Sequence, residues 1–93
     1  MPVAELDLTR EGAVVRVIRV HRTPPLRLGR HVDNSVVLLD EDVSGYHAVI
    51  SVRDEGVQVT DLRSTNGTWV NDVRVSEATL VDGDVLRLVY MPA

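Results

Sequence analysis

The side chains of this sequence that could do chemistry are hydrogen-bond donors in three short stretches. Residues 28–30 read Leu-Gly-Arg, residues 44–50 read Ser-Gly-Tyr-His-Ala-Val-Ile, and residues 64–71 read Ser-Thr-Asn-Gly-Thr-Trp-Val-Asn. The last stretch has the composition of a turn between strands, because Asn and Gly accept left-handed backbone angles and hydroxyls bond nearby backbone groups. That composition alone predicts only a loop, so a prediction of ligand binding depends on the donors in the other two stretches.

Binding of an anion such as a phosphate group is the chemistry that these donors fit. Arg30 is the only basic residue beside a motif glycine, and its guanidinium is always charged and offers a fork of donors matched to phosphate. Ser44 and Thr65 each carry a hydroxyl, and the Asn66 side chain has a donor and an acceptor suited to holding a peptide backbone. Plainer interpretations stay open: Arg30 as an ordinary surface arginine and Ser44 as a turn cap.

Catalysis and metal binding have little support in the sequence. His47 is one of three histidines, but the chain has no cysteine and no recognisable set of nucleophile, base and orienting group. The acidic run at residues 40–42 is typical of a solvated loop, and the further oxygen ligands that a divalent cation needs are not evident. We therefore expect no catalytic residue, no metal site and no cofactor.

Length and composition narrow the class of protein. Ninety-three residues correspond to one domain, so we expect residues 1–93 to form a single folded unit. The net charge is −4 and there is no basic block, which argues against general nucleic-acid binding. Neither a signal peptide nor an apolar run long enough to span a bilayer is evident. We expect a soluble cytoplasmic protein without membrane insertion, and the use of arginine without lysine suggests a bacterial genome.

Short strands separated by turns must position these residues. No stretch keeps a helical period, whereas β-branched residues recur in short runs between turn signals, which predicts an all-β sandwich or barrel. Trp69 is expected in the core, and residues 76–81 are expected to be a connection. The predicted strands cover residues 4–8, 14–21, 26–28, 36–39, 47–53, 56–62, 69–70, 73–75 and 85–90.

The order of these motifs resembles the forkhead-associated (FHA) domain, a family that reads phosphothreonine in partner proteins. The resemblance extends over residues 26–88 and depends on Gly29-Arg30, on Ser44 and His47, and on residues 64–68, followed by Gly83-Asp84. It implies a twisted two-sheet β-sandwich of about ten or eleven short strands, with binding loops gathered at one end.

The resemblance also implies roles for individual residues. The partner would be a protein or peptide that contains phosphothreonine and is a substrate of a Ser/Thr kinase. One group of residues would bind the phosphopeptide and a second would support the binding loops. The first group is Arg30, Ser44, Gly45, Thr65 and Asn66, and the second is Gly29, His47, Gly67 and Asn71.

Gly45 departs from the family pattern. Many family members carry Arg, Lys or Asn after the motif serine, where the side chain adds contacts to phosphate or peptide, whereas this chain has glycine. The missing donor predicts weaker binding or a changed peptide preference. It also keeps open a phosphate-independent protein-interaction domain with the same fold. A small hydrolase is the third hypothesis, and the lack of a nucleophile set argues against it.

Overall fold

In the computed structural model, two β-sheets pack face to face. The structure describes residues 3–10, 13–22 and 24–88, and these ranges contain ten strands and no helix. The all-β sandwich predicted from the sequence is confirmed. In chain order the strands are β1 (Ala4–Arg10), β2 (Ala13–Val20), β3 (Leu26–Gly29), β4 (Val36–Val37), β5 (Ala48–Arg53), β6 (Gly56–Asp61), β7 (Thr68–Val70), β8 (Val73–Val75), β9 (Glu77–Leu80) and β10 (Val85–Arg87).

Each sheet has five strands of mixed direction. The first sheet has the order β2-β1-β10-β7-β8, and the second has the order β4-β3-β5-β6-β9. One pair in each sheet is parallel, β1 with β10 and β3 with β4, while the other pairs are antiparallel. The β1–β2 hairpin therefore shares a sheet with β10, the last strand described.

The core lies between the sheets and follows the two-residue period of the strands. Successive strand residues point to opposite faces, so in β5 Ala48 and Ile50 are fully buried while Val49 between them is only partly buried. The same alternation buries Leu6 and Leu8 of β1. This packing holds the strand ends, and hence the loops, in fixed positions.

Trp69 was predicted to lie in the core, and this is wrong. It stands between two buried neighbours, Thr68 and Val70, in β7. Because side chains alternate along a strand, those neighbours take the inner face and the indole lies on the outer face of the first sheet, partly buried.

One predicted connection and one predicted strand also differ from the structure. Residues 77–80 form the edge strand β9, which pairs with β6, although 76–81 was predicted to be a connection. The run at 36–39 was predicted to be a buried strand, but β4 ends at Val37 and Leu39 is 89% exposed. Pairing with β6 makes residues 77–80 a strand, whereas only the first two residues of the 36–39 run pair with β3. The predicted last strand, 85–90, is seen as far as Arg87, and residues 89–90 lie outside the described residues.

Strand directions gather three loops at one end of the sandwich. β5 is antiparallel to both β3 and β6, so the end of β3, the start of β5 and the end of β6 lie together. The loops attached there are the β3–β4 loop (residues 30–35), the β4–β5 loop (residues 38–47) and the β6–β7 loop (residues 62–67). The three stretches of polar donors occupy these loops.

Candidate functional site

Backbone hydrogen bonds join the β3–β4 and β4–β5 loops. The N–H of Arg30 donates to the carbonyl of Ser44, and the N–H of His31 donates to the carbonyl of Gly45, each over 3.0 Å. The Asn34 side chain strengthens this junction, because its Nδ2 donates over 2.7 Å both to the His31 carbonyl and to the Gly45 carbonyl. Asn34 is buried, and its role was not predicted from the sequence because an Asn in a polar loop gives no signal of burial.

Gly29 is required by the closeness of these two loops. A Cβ atom built on Gly29 would overlap the Gly45 carbonyl oxygen and would lie 2.8 Å from Asn34 Nδ2. No other residue type fits without moving one loop. Gly29 thus brings the backbone of Arg30 against that of Ser44.

The Arg30 side chain is exposed at this junction. Within the part of the chain that the structure describes, no carboxylate lies close enough to pair with its guanidinium. A charged fork of donors without an internal partner is available to an anion from solution.

Ser44 connects all three loops. Its carbonyl accepts from Arg30, its N–H donates over 3.1 Å to His47 Nδ1, and its Oγ accepts from the N–H of Thr65 over 3.0 Å. A hydroxyl has one donor and two acceptor positions. Since the Thr65 N–H uses an acceptor position, the Ser44 O–H remains free to donate to an incoming anion.

His47 is fully buried and holds two loops together. Because its Nδ1 accepts from the Ser44 N–H, the hydrogen of the neutral ring lies on Nε2, which donates over 2.7 Å to the Gly67 carbonyl. Burial lowers the pKa of His47, and the opposing effects of the Gly67 carbonyl and Asp61 are smaller. The ring is therefore neutral at neutral pH, with both nitrogens engaged, so it is not placed to act as a base on a substrate.

The β6–β7 loop is shaped by the carboxylate of Asp61. This carboxylate accepts from the N–H and the hydroxyl of Ser64 and from the hydroxyl of Thr68. Ser64 Oγ in turn accepts from the N–H of Gly67, which has a left-handed φ of 89°. Burial alone would raise the pKa of Asp61, but the hydrogen bonds from Ser64 and Thr68 and the nearby His47 lower it overall. The role of Asp61 was not predicted, because the residue reads as part of a strand.

Thr65 and Asn66 occupy the tip of this loop. The Thr65 side chain is exposed and its hydroxyl has no hydrogen bond among the described residues. Asn66 Nδ2 donates over 2.7 Å to the carbonyl of Asp42. The second N–H and the side-chain oxygen of Asn66 remain for a ligand.

Gly45 leaves open space beside the site. A Cβ atom built on it would meet nothing within 4 Å, and its φ is not left-handed. The next residue, Tyr46, is exposed and stacks on His31 with ring centroids 5.0 Å apart, while its hydroxyl donates to Asp33. Glycine at position 45 is therefore not demanded by the fold.

The acidic run at residues 40–42 is more than a solvated loop. Arg10 at the end of β1 pairs with Asp40 over 2.6 Å and with Asp42 over 3.4 Å. These ion pairs tie the β4–β5 loop to the first sheet. Among the described residues, no group of three or more His, Cys, Asp or Glu side chains is placed to hold a metal ion.

Asn71 was predicted to support the binding loops, and the structure corrects this. It follows β7, at the end of that strand away from the β6–β7 loop. Its side chain donates to Asp84 and accepts from the N–H of Val85. Asn71 therefore ties the β7–β8 turn to the residues before β10, and its left-handed φ of 48° forms that turn.

Comparison with known proteins shows which family has this sequence pattern. Residues 26–89 match the family model of the FHA domain. Over 67 residues the chain is 42% identical to the ABC transporter ATP-binding/permease protein Rv1747 of Mycobacterium tuberculosis, an alignment that covers 70% of this chain and 8% of that protein. The chain spans 8%, 16% and 41% of the length of three curated relatives that it matches.

Two solved structures are similar along most of their length. The FhaA FHA domain, crystallised with the intracellular domain of Rv3910, superposes with a TM-score of 0.70 at 37% identity, covering 84% of each chain. An FHA domain from a structural and functional study of phosphothreonine-dependent FHA interactions has a TM-score of 0.70 at 33% identity, covering 89% of this chain and 92% of the other. No helix in the described ranges is long and apolar enough to cross a membrane.

Proposed function

Because this chain belongs to the forkhead-associated (FHA) family, we propose that it is a phosphothreonine-dependent peptide-binding module. The observation that carries the proposal is the exposed Arg30 guanidinium, which has no carboxylate partner among the described residues and lies on a residue whose backbone N–H donates to the Ser44 carbonyl at the loop junction. A phosphothreonine side chain carries about −1.5 to −2 charges at neutral pH and three acceptor oxygens, which these donors match.

Each site residue has a distinct task in this proposal. The Arg30 guanidinium pairs with the phosphate, and the free O–H of Ser44 and the hydroxyl of Thr65 donate to its oxygens. Asn66 holds the peptide backbone with the N–H and carbonyl that its bond to Asp42 leaves available. Gly29, His47 and Gly67 keep the three loops in place and do not touch the ligand.

The wider setting is part of the same proposal. We place the chain in a bacterial, cytoplasmic Ser/Thr-kinase pathway or kinase-regulated assembly, where capture of a phosphorylated segment recruits a partner. Residues 1–93 act as one FHA domain, since β1 and β2 precede the matched segment yet share a sheet with β10. The module has no enzymatic activity and needs no cofactor.

A paired titration tests the proposal. A library of phosphothreonine peptides and its unphosphorylated counterpart are titrated against the wild type, against Arg30→Ala and against Arg53→Ala. Arg53 is a matched control, because it is also exposed but lies at the far end of β5. Loss of a charge-assisted hydrogen bond costs about 1.5–3 kcal/mol, so Arg30→Ala should lose at least about tenfold in affinity while Arg53→Ala should not.

A phosphate-independent interaction domain is the second candidate. Gly45 favours it, since the site lacks the side-chain donor that many family members have there. Binding of phosphorylated and unphosphorylated peptides with equal affinity, unaffected by Arg30→Ala, would establish this candidate and refute the first.

A further inference from the structure

A second exposed guanidinium lies beside the candidate site, on the outer face of the first sheet. Arg74 and Arg87 are the cross-strand neighbours of Trp69 in β8 and β10. Their guanidinium carbons lie 5.8 Å and 5.1 Å from the centroid of the indole. Trp69 Nε1 donates over 3.1 Å to the carbonyl of Asn66. This row of three side chains is therefore attached to the loop that carries the ligand-binding residues.

The two arginines differ in exposure and in charge pairing. The Arg87 side chain is 15% exposed and pairs with Asp72 over 3.4 Å. Arg74 is exposed, and no carboxylate of the described residues lies within ion-pairing distance of it. At 5.8 Å from the centroid of the indole, the Arg74 guanidinium is within the range of a cation–π interaction with the face of Trp69. Arg74 is thus an exposed cation beside Trp69 that has no carboxylate partner in the described part of the chain.

The Arg74 guanidinium also lies against the β6–β7 loop. A Cβ atom built on Gly67 would be 2.6 Å from Arg74 Nε and 3.0 Å from Cζ. The path from Ser44 Oγ through the Thr65 N–H and along the backbone to Gly67 limits the distance between the Ser44 hydroxyl and the Arg74 guanidinium to at most about 16 Å. An extended peptide covers that distance in about five residues.

We propose that Arg74 binds a second anionic side chain of the peptide, a carboxylate or a phosphate, within about five residues of the phosphothreonine. The inference rests on the proposed function and specifies which peptides this site prefers. Arg30 takes the phosphothreonine phosphate, and Arg74 selects among phosphopeptides by the charge of a flanking residue. A peptide with neutral flanks leaves Arg74 unused and binds through Arg30 alone.

An aspartate scan of the peptide tests whether Arg74 binds an acidic flanking residue. A phosphothreonine peptide with alanine flanks is compared with ten peptides that carry one aspartate at each of the five positions on either side. Phosphoserine then replaces aspartate at the best position. Affinities are measured by titration calorimetry for the wild type, Arg74→Gln, Arg74→Lys and Arg53→Gln, and melting curves are recorded for all four proteins.

The expected result is position-dependent. Aspartate at one or two neighbouring positions should raise wild-type affinity by about 1.5- to 5-fold, the range of a partly exposed ion pair, and phosphoserine should raise it more. Arg74→Gln should abolish this gain without changing affinity for the alanine-flanked peptide. Arg74→Lys should keep part of the gain, and Arg53→Gln should keep all of it.

Several results would overturn the inference. One is a wild-type affinity that does not change when aspartate is placed in the flanks. Another is an aspartate-dependent gain in affinity that is still present in Arg74→Gln. The third is an Arg74→Gln protein whose affinity falls equally for every peptide. If the wild type shows no phosphate-dependent binding to any peptide, the proposed function fails and this inference fails with it. Binding of the alanine-flanked phosphopeptide without an aspartate gain refutes only the role of Arg74.

Discussion

Replacing His47 with alanine tests whether the histidine holds the loops together or contacts the ligand. The ring is fully buried and bonds to the N–H of Ser44 and the carbonyl of Gly67. The substitution leaves both backbone groups without a partner. An unsatisfied buried group costs about 1–3 kcal/mol, and because the Ser44 N–H is only partly buried we expect a total of about 2–4 kcal/mol.

That loss is large for a domain of this size. Ninety-three residues correspond to an unfolding free energy of about 5–14 kcal/mol. Each kcal/mol lowers Tm by about 4–8 °C, so His47→Ala should melt at least about 8 °C below the wild type. Urea titration and thermal melting at pH 7.5 measure this, with His21→Ala as the control for an exposed histidine.

The pH dependence gives an independent check. Burial lowers the pKa of His47 below its ordinary value of 6.5, so below that pH the unfolded chain takes up a proton that the folded chain resists. Stability that is fully present above pH 6.5 is therefore lost as pH falls toward the lowered pKa, with a slope of at most about 1.4 kcal/mol per pH unit. In His47→Gln this part of the acid sensitivity should disappear.

His47→Ala would contradict a loop-joining role for the ring if it were as stable as His21→Ala and lost only peptide binding. In that case the ring would be a ligand contact. A stability profile of His47→Gln between pH 7.5 and 5 that is parallel to the wild-type profile would contradict the assigned protonation state.

Three further predictions concern the ligand and the loop junction. The family resemblance implies that the threonine methyl is buried at the site, and burying one methyl contributes about 0.8 kcal/mol, so matched phosphothreonine and phosphoserine peptides should differ several-fold in affinity by titration; equal affinities would show that the methyl is not buried. Gly45→Arg should fold normally, because a Cβ there meets nothing within 4 Å, and should gain up to about fivefold in phosphopeptide affinity, less at high salt. A stable variant without that gain would show that position 45 does not face the phosphate. Gly29→Ala should lose about 1–3 kcal/mol in urea titration through overlap with the Gly45 carbonyl, whereas Gly45→Ala should be near neutral; similar midpoints for the two would contradict the close approach of the loops.

The fold and the loop cluster were predictable from the sequence where local chemistry decides. The hairpin of β5 and β6 has alternating apolar residues on both sides of Asp54-Glu55-Gly56, so its position follows from the pattern. β9 was missed because Glu77-Ala78-Thr79-Leu80 has little strand character, and it becomes a strand by pairing with β6. Leu39 was misjudged because an apolar run does not reveal which of its residues reach the core.

The residues proposed for the candidate site can be recognised in the sequence, but the contacts that join them cannot. Arg30, Ser44 and Asn66 are recognisable from their spacing and from family resemblance. Neither signal shows that Asn34 joins two loops or that Asp61 organises a third, since both depend on contacts between segments far apart in the chain. Asn71 is the opposite case. Its position in the motif predicted that it supports the binding loops, whereas its side chain bonds to Asp84 and to the N–H of Val85.

The bonds centred on Ser44 have a consequence for the entropy of binding. The three loops are already joined through Ser44, His47 and Gly67 before any ligand arrives, so little of the receptor backbone must be ordered by the peptide. Immobilising a flexible side chain costs about 0.5–1.5 kcal/mol, and here that cost falls mainly on the Arg30 side chain and on the ligand. Affinity should then depend strongly on how extended and rigid the free peptide is. A phosphopeptide locked in an extended conformation should bind more tightly than a flexible one that makes the same contacts.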